Sequence, residues 1–307
     1  MMKHLFRPMI FGVLAMLFIA CSEHTETQQK EVAVTFIPTL PVDISFRGVA
    51  DGMTANRLYY AIYEQGNNEA ISSNLGEPMP FSESTILTLP LISGFTYDIV
   101  FWVQAERAPY TFHPEAGYVA IDWDNHLTGN DEQRDAFIFV RKGYQVNQSG
   151  TPERIELKRP FAQLNIGPSD YDAAAALGFD LHETQLSTQS YTRMDFFGGD
   201  EYGAPAGTLT DITFDWATPH SGADATIEVK GNTYKYIASA YLLPATPQGA
   251  VNVSLKFRNL AHDKYVGTEP FTAVTMERNH ATNIMGSLLT SYDATSGNRV
   301  VNYIPVP

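Results

Sequence analysis

The chain has 307 residues with a formal net charge of −14, and 44% of its residues are hydrophobic and 12% aromatic. This composition excludes a disordered chain, and the length predicts two domains that are each large enough to bury a core. The acidic balance argues against a nucleic-acid partner, because binding to a phosphate backbone needs clustered lysine and arginine.

The first thirty residues predict a lipoprotein signal peptide followed by a tether. Lys3, His4 and Arg7 precede an apolar stretch at residues 9–20, which is too short for a membrane-spanning helix, and Cys21 follows at once. Cys21 is the only cysteine, so it excludes an intrachain disulfide and is predicted to carry acyl chains such as palmitate. The alternative is a cysteine inside an ordinary signal peptide. The division is then residues 1–20 as signal peptide and the polar residues 21–30 as a lipid-anchored tether.

Beyond the tether, hydrophobic residues alternate with a period of two, and helical periodicity is nearly absent. β-Branched and aromatic residues dominate these segments, and Gly, Pro, Asn and Asp fill the gaps between them. Many short strands separated by turns predict an all-β protein made of sandwiches or barrels. The predicted strands are residues 31–37, 42–46, 57–64, 97–104, 136–141, 154–166, 208–216, 233–243, 251–257 and 283–289.

One helix and one domain boundary are predicted. Ser169 is placed to cap a helix at residues 170–177, which holds four alanines, and Gly178 suits its end. Pro160 stands inside a strand-like segment, so that strand is at an edge or is broken there. We therefore place an N-terminal β-sandwich at residues 31–159 and a C-terminal β-sandwich at residues 160–307.

Oxygen-bearing side chains recur at every second position from Asp122 to Asn130, as in calcium loops. The loop lacks the glycine at the sixth place and has Gln133 where a twelfth-place acid is needed. No two histidines stand four residues apart, so no helical zinc pair is present. We predict no metal and no cofactor.

Residues 195–202 (DFFGGDEY) combine acids, aromatics and two glycines. Two carboxylates about 5–10 Å apart would suit glycoside hydrolysis, although solvated loop acids are commoner. The chain has no nucleophile-elbow motif and no phosphate-loop motif, so we predict that it is not an enzyme.

The three tryptophans are candidate platforms for sugar rings. Trp102 lies in the most apolar segment and is predicted to pack in the core, and Trp216 is predicted to plug the underside of a loop. Trp123 is the candidate ligand contact, because its acidic and amide neighbours favour an exposed position. The loops at residues 109–135 and 194–208 are long for a sandwich and are candidate contacts for a glycan or a host protein.

Several segments together resemble a known family: the lipobox at residues 18–21 (FIAC), residues 56–63 (NRLYYAIY), 97–104 (YDIVFWVQ), 159–165 (RPFAQLN) and 277–290 (ERNHATNIMGSLLT). Over the whole mature chain they resemble the fimbrillin-like lipoproteins of Bacteroidales, the type V pilus subunit superfamily, in an uncharacterised branch. The resemblance implies two tandem transthyretin-like Greek-key β-sandwich domains. It also implies a non-catalytic lipoprotein, anchored in the outer membrane and displayed on the cell surface or in a fimbrium. Such a protein is a subunit, anchor or tip of a pilus or adhesion assembly; the alternative is a monomeric surface module that binds a glycan or host protein.

In polymerising members of that family, a protease cuts after an arginine near the N-terminus and removes a strand, and a neighbouring subunit donates a strand to the groove. Arg47 and Arg57 are the nearby arginines, and Arg47 is the better candidate because it ends the second predicted strand. The alternative for Arg47 is an ordinary surface arginine. The segment at residues 299–304 (RVVNYI) is either a donor strand or the last strand of the second domain.

Overall fold

The structure of the protein is a computed structural model that describes residues 30–41, 52, 54–125, 127–146, 151–220, 226–245, 248–259, 264–267, 270–290 and 302–306. The predicted signal peptide, Cys21, the predicted strand at residues 42–46 and Arg47 lie outside the described residues.

The described residues form twenty-one strands, one α-helix and one 3₁₀-helix, so the predicted all-β class is confirmed. The first ten strands are β1 Glu31–Thr39, β2 Arg57–Glu64, β3 Ala70–Ser73, β4 Met79–Pro80, β5 Leu87–Ile92, β6 Thr96–Gln104, β7 Tyr110–His113, β8 Tyr118–Ile121, β9 Ala136–Gln145 and β10 Glu153–Glu156, with the 3₁₀-helix η1 at Glu132–Arg134. The others are β11 Ala162–Pro168, β12 Leu181–Asp200, β13 Gly203–Thr213, β14 Thr226–Val229, β15 Asn232–Lys235, β16 Ala238–Leu242, β17 Gln248–Asn259, β18 Lys264–Gly267, β19 Phe271–Glu277, β20 Ala281–Gly286 and β21 Asn302–Val306, and the helix α1 is Tyr171–Ala176.

Two sheets pack face to face in the first part of the chain. One has the order β10-β1-β5, and the other has the order β3-β2-β6-β9 with β4 also paired to β2. Strand β5 shows why they pack, because its leucines at 87, 89 and 91 are buried and the residues between them are exposed. These leucines join one apolar cluster with residues of the opposite sheet, so the two sheets form a sandwich.

Strand β6 is buried on both faces, as its nearly continuous apolar run predicts. Phe101 and Val103 belong to the core of the first sandwich, whereas Val100 and Trp102 belong to a second and larger cluster. Trp102 is fully buried, which agrees with its predicted core position. The β2-β6-β9 sheet therefore forms a wall shared by two apolar cores.

The remaining strands build a seven-stranded sheet, a four-stranded sheet and the two-stranded sheet β14-β15. The first has the order β18-β17-β12-β8-β7, with β13 added on β12 and β19 on β17; the second has the order β16-β11-β20-β21. Strand β8 pairs antiparallel with β12, so Tyr118 lies opposite Asp195 and Ala120 opposite Arg193. This pairing joins residues on either side of the predicted boundary at 159/160, which itself stays a prediction.

Pro160 breaks the predicted strand at residues 154–166 into β10 and β11. The break exposes no charge, because the neighbouring Arg159 is buried and makes two hydrogen bonds with Asp135, at 2.5 and 2.7 Å. The Arg159 backbone N–H also donates to Asn279 Oδ1 at 3.1 Å. The junction is thus fixed by a buried ion pair and by a contact with the far end of the chain.

The predicted helix is present, but its predicted cap is wrong. Asp170, not Ser169, precedes the helix, and its side chain makes no capping hydrogen bond. Its carboxylate instead accepts hydrogen bonds from the backbone N–H groups of Leu288, Leu289 and Thr290, and from the Thr290 hydroxyl, at 2.6–3.3 Å. This carboxylate therefore holds the segment that follows β20.

Candidate strand-exchange site

Strand β1 fills the space between two strands that do not pair with each other. Its first six residues pair antiparallel with β5, from Glu31 opposite Ile92 to Phe36 opposite Leu87. Its last four residues pair parallel with β10, from Phe36 opposite Glu153 to Thr39 opposite Glu156. Among the described residues, β5 and β10 belong to one sheet only through β1.

The side chain of Phe36 anchors β1 in the sandwich. It is fully buried, and its ring centroid lies 5.2 Å from that of Phe101 and 5.4 Å from that of Tyr144. Burying a phenylalanine side chain contributes about 1.5–3 kcal/mol. Burial raises the pKa of the Tyr144 phenol beside Phe36 above its ordinary value. Loss of β1 would leave an apolar pocket at this position.

Hydrogen bonds hold both ends of β1. At the start, the Ser93 backbone N–H donates to Lys30 O at 2.9 Å. At the end, the Leu157 N–H donates to Thr39 O at 2.9 Å, and the Thr39 hydroxyl donates to Ile155 O at 3.2 Å. No charged side chain occurs at residues 32–39, so removing this stretch would break no ion pair. The groove is therefore built from main-chain pairing and apolar pockets, which another extended peptide could use in the same way.

The C-terminal strand β21 lies at the edge of the four-stranded sheet. It pairs antiparallel with β20, from Asn302 opposite Met285 to Val306 opposite Ala281. The structure thus places residues 302–304 of the predicted donor segment as the last strand of their own chain; residues 299–301 lie outside the described part.

Strand β21 also repeats the end of β1, a signal that the sequence analysis missed. Residues 35–39 of β1 read TFIPT and residues 302–306 read NYIPV, so an aromatic residue, an isoleucine, a proline and a β-branched residue follow each other in both. Proline has no N–H and is confined to particular positions of a sheet. In β1, Pro38 lies beyond the last residue paired with β5. The match was missed because the predicted strands stopped at residue 37 and the predicted donor segment at residue 304.

The predicted exposed position of Trp123 is wrong. The residue is 6% exposed, and its indole N–H donates to Tyr191 O at 2.9 Å. The guanidinium of Arg134 lies 4.9 Å from its ring centroid, and Phe214 packs edge-on against it. Burial lowers the pKa of the Arg134 guanidinium that lies beside the indole. The neighbouring Asp124 and Asn125 are exposed, whereas the Trp123 ring packs in the core. A ligand could contact the face of this ring only if the indole moved out of the core.

The oxygen-rich loop that starts at Asp122 is held by its own side chains. Asp122 Oδ1 accepts hydrogen bonds from the backbone N–H groups of Asp124 and Asn125, each at 2.9 Å. The Asn130 side chain donates to Thr218 O and accepts from the Ser239 N–H, each at 2.8 Å. In the described part of the chain, no three His, Cys, Asp or Glu side chains are grouped to hold a metal ion.

The acids of residues 195–202 lie near arginines. Asp195 Oδ1 is 3.1 Å from Arg193 Nε, and Asp200 Oδ2 is 3.3 Å from an Arg278 terminal nitrogen. Residues 195–202 form the tip of the β12–β13 hairpin. The tip contacts the first sandwich, because Lys142 Nζ donates to Gly199 O at 2.6 Å. The segment therefore links the two parts of the chain, and Asp195 and Asp200 are engaged in ion pairs.

A family model describes almost the entire chain. Residues 26–301 match the model of a family of unknown function, DUF6562. The chain belongs to this family. The matched range includes β1 to β20 and stops just before β21. No curated protein matches the sequence.

Solved structures share the fold of this DUF6562 protein. A candidate polysaccharide-binding protein of Bacteroides thetaiotaomicron is similar at a TM-score of 0.53 and 12% identity, over 90% of this chain and 99% of that one. A candidate adhesin of Bacteroides ovatus is similar at 0.50 and 8% identity, over 89% and 95%. The fimbrial anchor protein Mfa2 of Porphyromonas gingivalis is less similar, at 0.47 and 10% identity over 90% and 97%. The first two show one fold along nearly the full length of both chains.

No helix in the described ranges is long and apolar enough to cross a membrane.

Proposed function

We propose that this protein is a non-catalytic, cell-surface lipoprotein of fimbrillin type. It serves as a subunit, anchor or tip of a pilus or adhesion assembly, and it associates with other subunits by strand exchange. The observation that carries the proposal is the position of β1, which has no charged side chain at residues 32–39 and lies between β5 and β10. Among the described residues, these two strands pair only with β1, and β21 repeats the sequence pattern of its last five residues. A protein that shares the fold is itself described as a candidate adhesin of Bacteroides ovatus, which supports the surface role.

Cleavage after Arg47 starts the exchange in this proposal. It separates β1 and everything before it from the rest of the chain, because β1 ends at Thr39. Once β1 leaves, β5 and β10 have unpaired edges, and such edges recruit another strand. Residues 302–306 of a neighbouring copy then enter in the register of residues 35–39, so that Tyr303 takes the pocket of Phe36.

The same cut separates the chain from its lipid. Cys21 precedes β1, so an acylated N-terminus and β1 leave together. An uncut chain keeps its acyl chains, and its groove stays filled by β1. Each buried CH₂ of the acyl chains contributes about 0.8 kcal/mol to membrane binding. A cut chain is free of the membrane and able to accept a donor. Cleavage thereby decides between an anchor in the outer membrane and a polymerising subunit.

Protease treatment of intact cells tests this proposal. Wild-type protein exposed to a trypsin-like protease should give a high-mass ladder in unboiled SDS samples, and boiling should collapse it to one band. Arg47→Ala should give no ladder and remain with the membrane. Arg57→Gln is the matched control, since Arg57 begins β2 and pairs with Glu106 at 2.8 Å; its ladder should persist. A single unboiled band from wild-type cells would contradict strand exchange.

A further inference from the structure

A small cleft lies where the β7–β8 hairpin meets β12, and its volume is about 290 Å³. Gly117 and Gly198 line it, so the backbone forms part of its floor. Gly117 has φ of +72°, and a side chain there would come within 3.5 Å of the Phe197 ring. The left-handed conformation therefore favours glycine at this turn. Most of the residues that line the cleft come from the two segments predicted as long loops, residues 109–135 and 194–208.

Paired donors and acceptors line the wall of the cleft. The Arg193 guanidinium lies 5.1 Å from the ring centroid of Tyr118, and its Nε is 3.1 Å from Asp195 Oδ1. The side chains of Arg193 and Asp195 are 43% and 34% exposed, so both remain accessible to a ligand. Asn68, which is exposed, adds an amide from the turn after β2. A guanidinium, a carboxylate and an amide together supply the donors and acceptors that neighbouring sugar hydroxyls need.

We propose that this cleft binds one sugar residue of a neutral glycan. The volume is near the lower end of ligand cavities, roughly 300–1,000 Å³, which suits a single ring. The Phe197 side chain gives an apolar surface for the C–H face of that ring. The charges of Arg193 and Asp195 cancel, and a protein of net charge −14 repels polyanions, so a neutral glycan fits better than an acidic one. The cleft shares no residue with the β1 groove, so glycan binding and strand exchange can fail independently.

An array of immobilised oligosaccharides, both neutral and sialylated or sulfated, tests the cleft with the purified full-length chain in detergent. The chain should bind at least one neutral oligosaccharide, and the variants Arg193→Gln and Asp195→Asn should each weaken that binding about tenfold or more. Arg141→Gln is the matched control, because Arg141 lies outside the cleft but has the same kinds of contact as Arg193. Its Nε is 2.7 Å from Glu153 Oε1, and its guanidinium lies 5.6 Å from the ring centroid of Tyr144. Its binding should equal that of the wild type.

Three results would overturn the proposal. The first is no binding to any neutral oligosaccharide, the second is binding to acidic glycans alone, and the third is unchanged binding by both cleft variants. The melting temperature of each variant separates loss of the site from loss of the fold. If Arg193→Gln is unstable, the binding of the Asp195→Asn variant tests the proposal, since asparagine has nearly the same shape as aspartate.

Discussion

Phe36 is the residue on which the seating of β1 most depends, because it is the fully buried aromatic side chain of that strand. Asp170 has a comparable role at the other end of the chain, where one carboxylate gathers four donors from Leu288, Leu289 and Thr290. Each side chain fixes a segment of one end of the chain to the fold. Phe36 therefore fixes β1, and Asp170 fixes the segment that follows β20.

Replacing Phe36 should loosen β1 selectively. Phe36→Ala removes the ring between Phe101 and Tyr144, and such truncations cost about 3–5 kcal/mol of unfolding free energy. Thr35→Ala, on the opposite face, loses only a hydroxyl contact of 3.2 Å with Thr88 and should cost less than about 1 kcal/mol. Urea unfolding measures both. Equal costs for the two variants would show that the pocket does not hold the strand.

The same two residues show what sequence predicts at this scale. The inward position of Phe36 follows from the alternation of β1, so it was predictable. The role of Asp170 was not, because its partners are about 120 residues away in sequence, and the pattern Ser-Asp before an alanine run favoured a local cap. Trp123 was misplaced for a related reason: its exposed neighbours are local, whereas the groups that bury it, Phe214 and Tyr191, come from the second part of the chain.

Among the elements, β2, β6 and β9 were predicted, whereas β5, despite its apolar alternation, and β12, the longest described strand, were missed. Strand β12 runs for 20 residues, yet its buried positions include Thr184, Thr188 and Ser190. The hydroxyl of Thr184 donates to Ile237 O at 2.7 Å, and that of Ser190 accepts from the Leu243 N–H at 2.9 Å. Buried residues with hydroxyl side chains carry no hydrophobic signal, so the period of two was hidden in the sequence.

We expect a copy of the chain to need β21 in order to donate a strand to a neighbour, but not in order to accept one. A chain ending at residue 301 lacks the segment that repeats β1, so after cleavage at Arg47 it should form no ladder alone. Its groove is intact, so it should cap wild-type polymers and shorten their ladder when the two are mixed. Unboiled SDS gels measure both effects. A full ladder from the truncated chain alone would assign the donor to another segment.

At the scale of the whole molecule, the two parts of the chain share an apolar core and paired strands, which the sequence did not predict. One apolar cluster includes Trp102 from β6, Met194 from β12 and Ile284 from β20. The hairpin tip adds a further link, because the Val140 N–H donates to Glu201 O at 2.6 Å. The all-β class was predictable from the strand spacing. The connections were not, because pairing between β8 and β12 joins segments that are far apart in sequence.

Buried tyrosines should make the molecule sensitive to alkali. Burial raises the pKa of Tyr63, Tyr110, Tyr236 and Tyr241 above the ordinary value of about 10. The folded state therefore keeps these protons while the unfolded state loses them, and the stability they contribute is complete below about pH 10 and lost as the pH rises further. The melting temperature should fall as the pH rises above about 10, and these four tyrosines should contribute phenolate absorbance only on unfolding. Phenolate signal from all sixteen tyrosines in the folded protein would contradict this.

Strand exchange in the proposed register can be tested with two cysteines placed on different copies. Thr35 lies opposite Thr88 in the β1–β5 pairing, and Asn302 occupies the matching place in β21. A copy carrying Asn302→Cys, mixed with a copy carrying Thr88→Cys and treated with the protease, should form a disulfide-linked dimer on a boiled, non-reducing gel. Tyr303→Cys is the off-register control, because its place corresponds to the inward Phe36, and it should not cross-link. Absence of the dimer, or equal cross-linking by Tyr303→Cys, would contradict the exchange of β1 for β21.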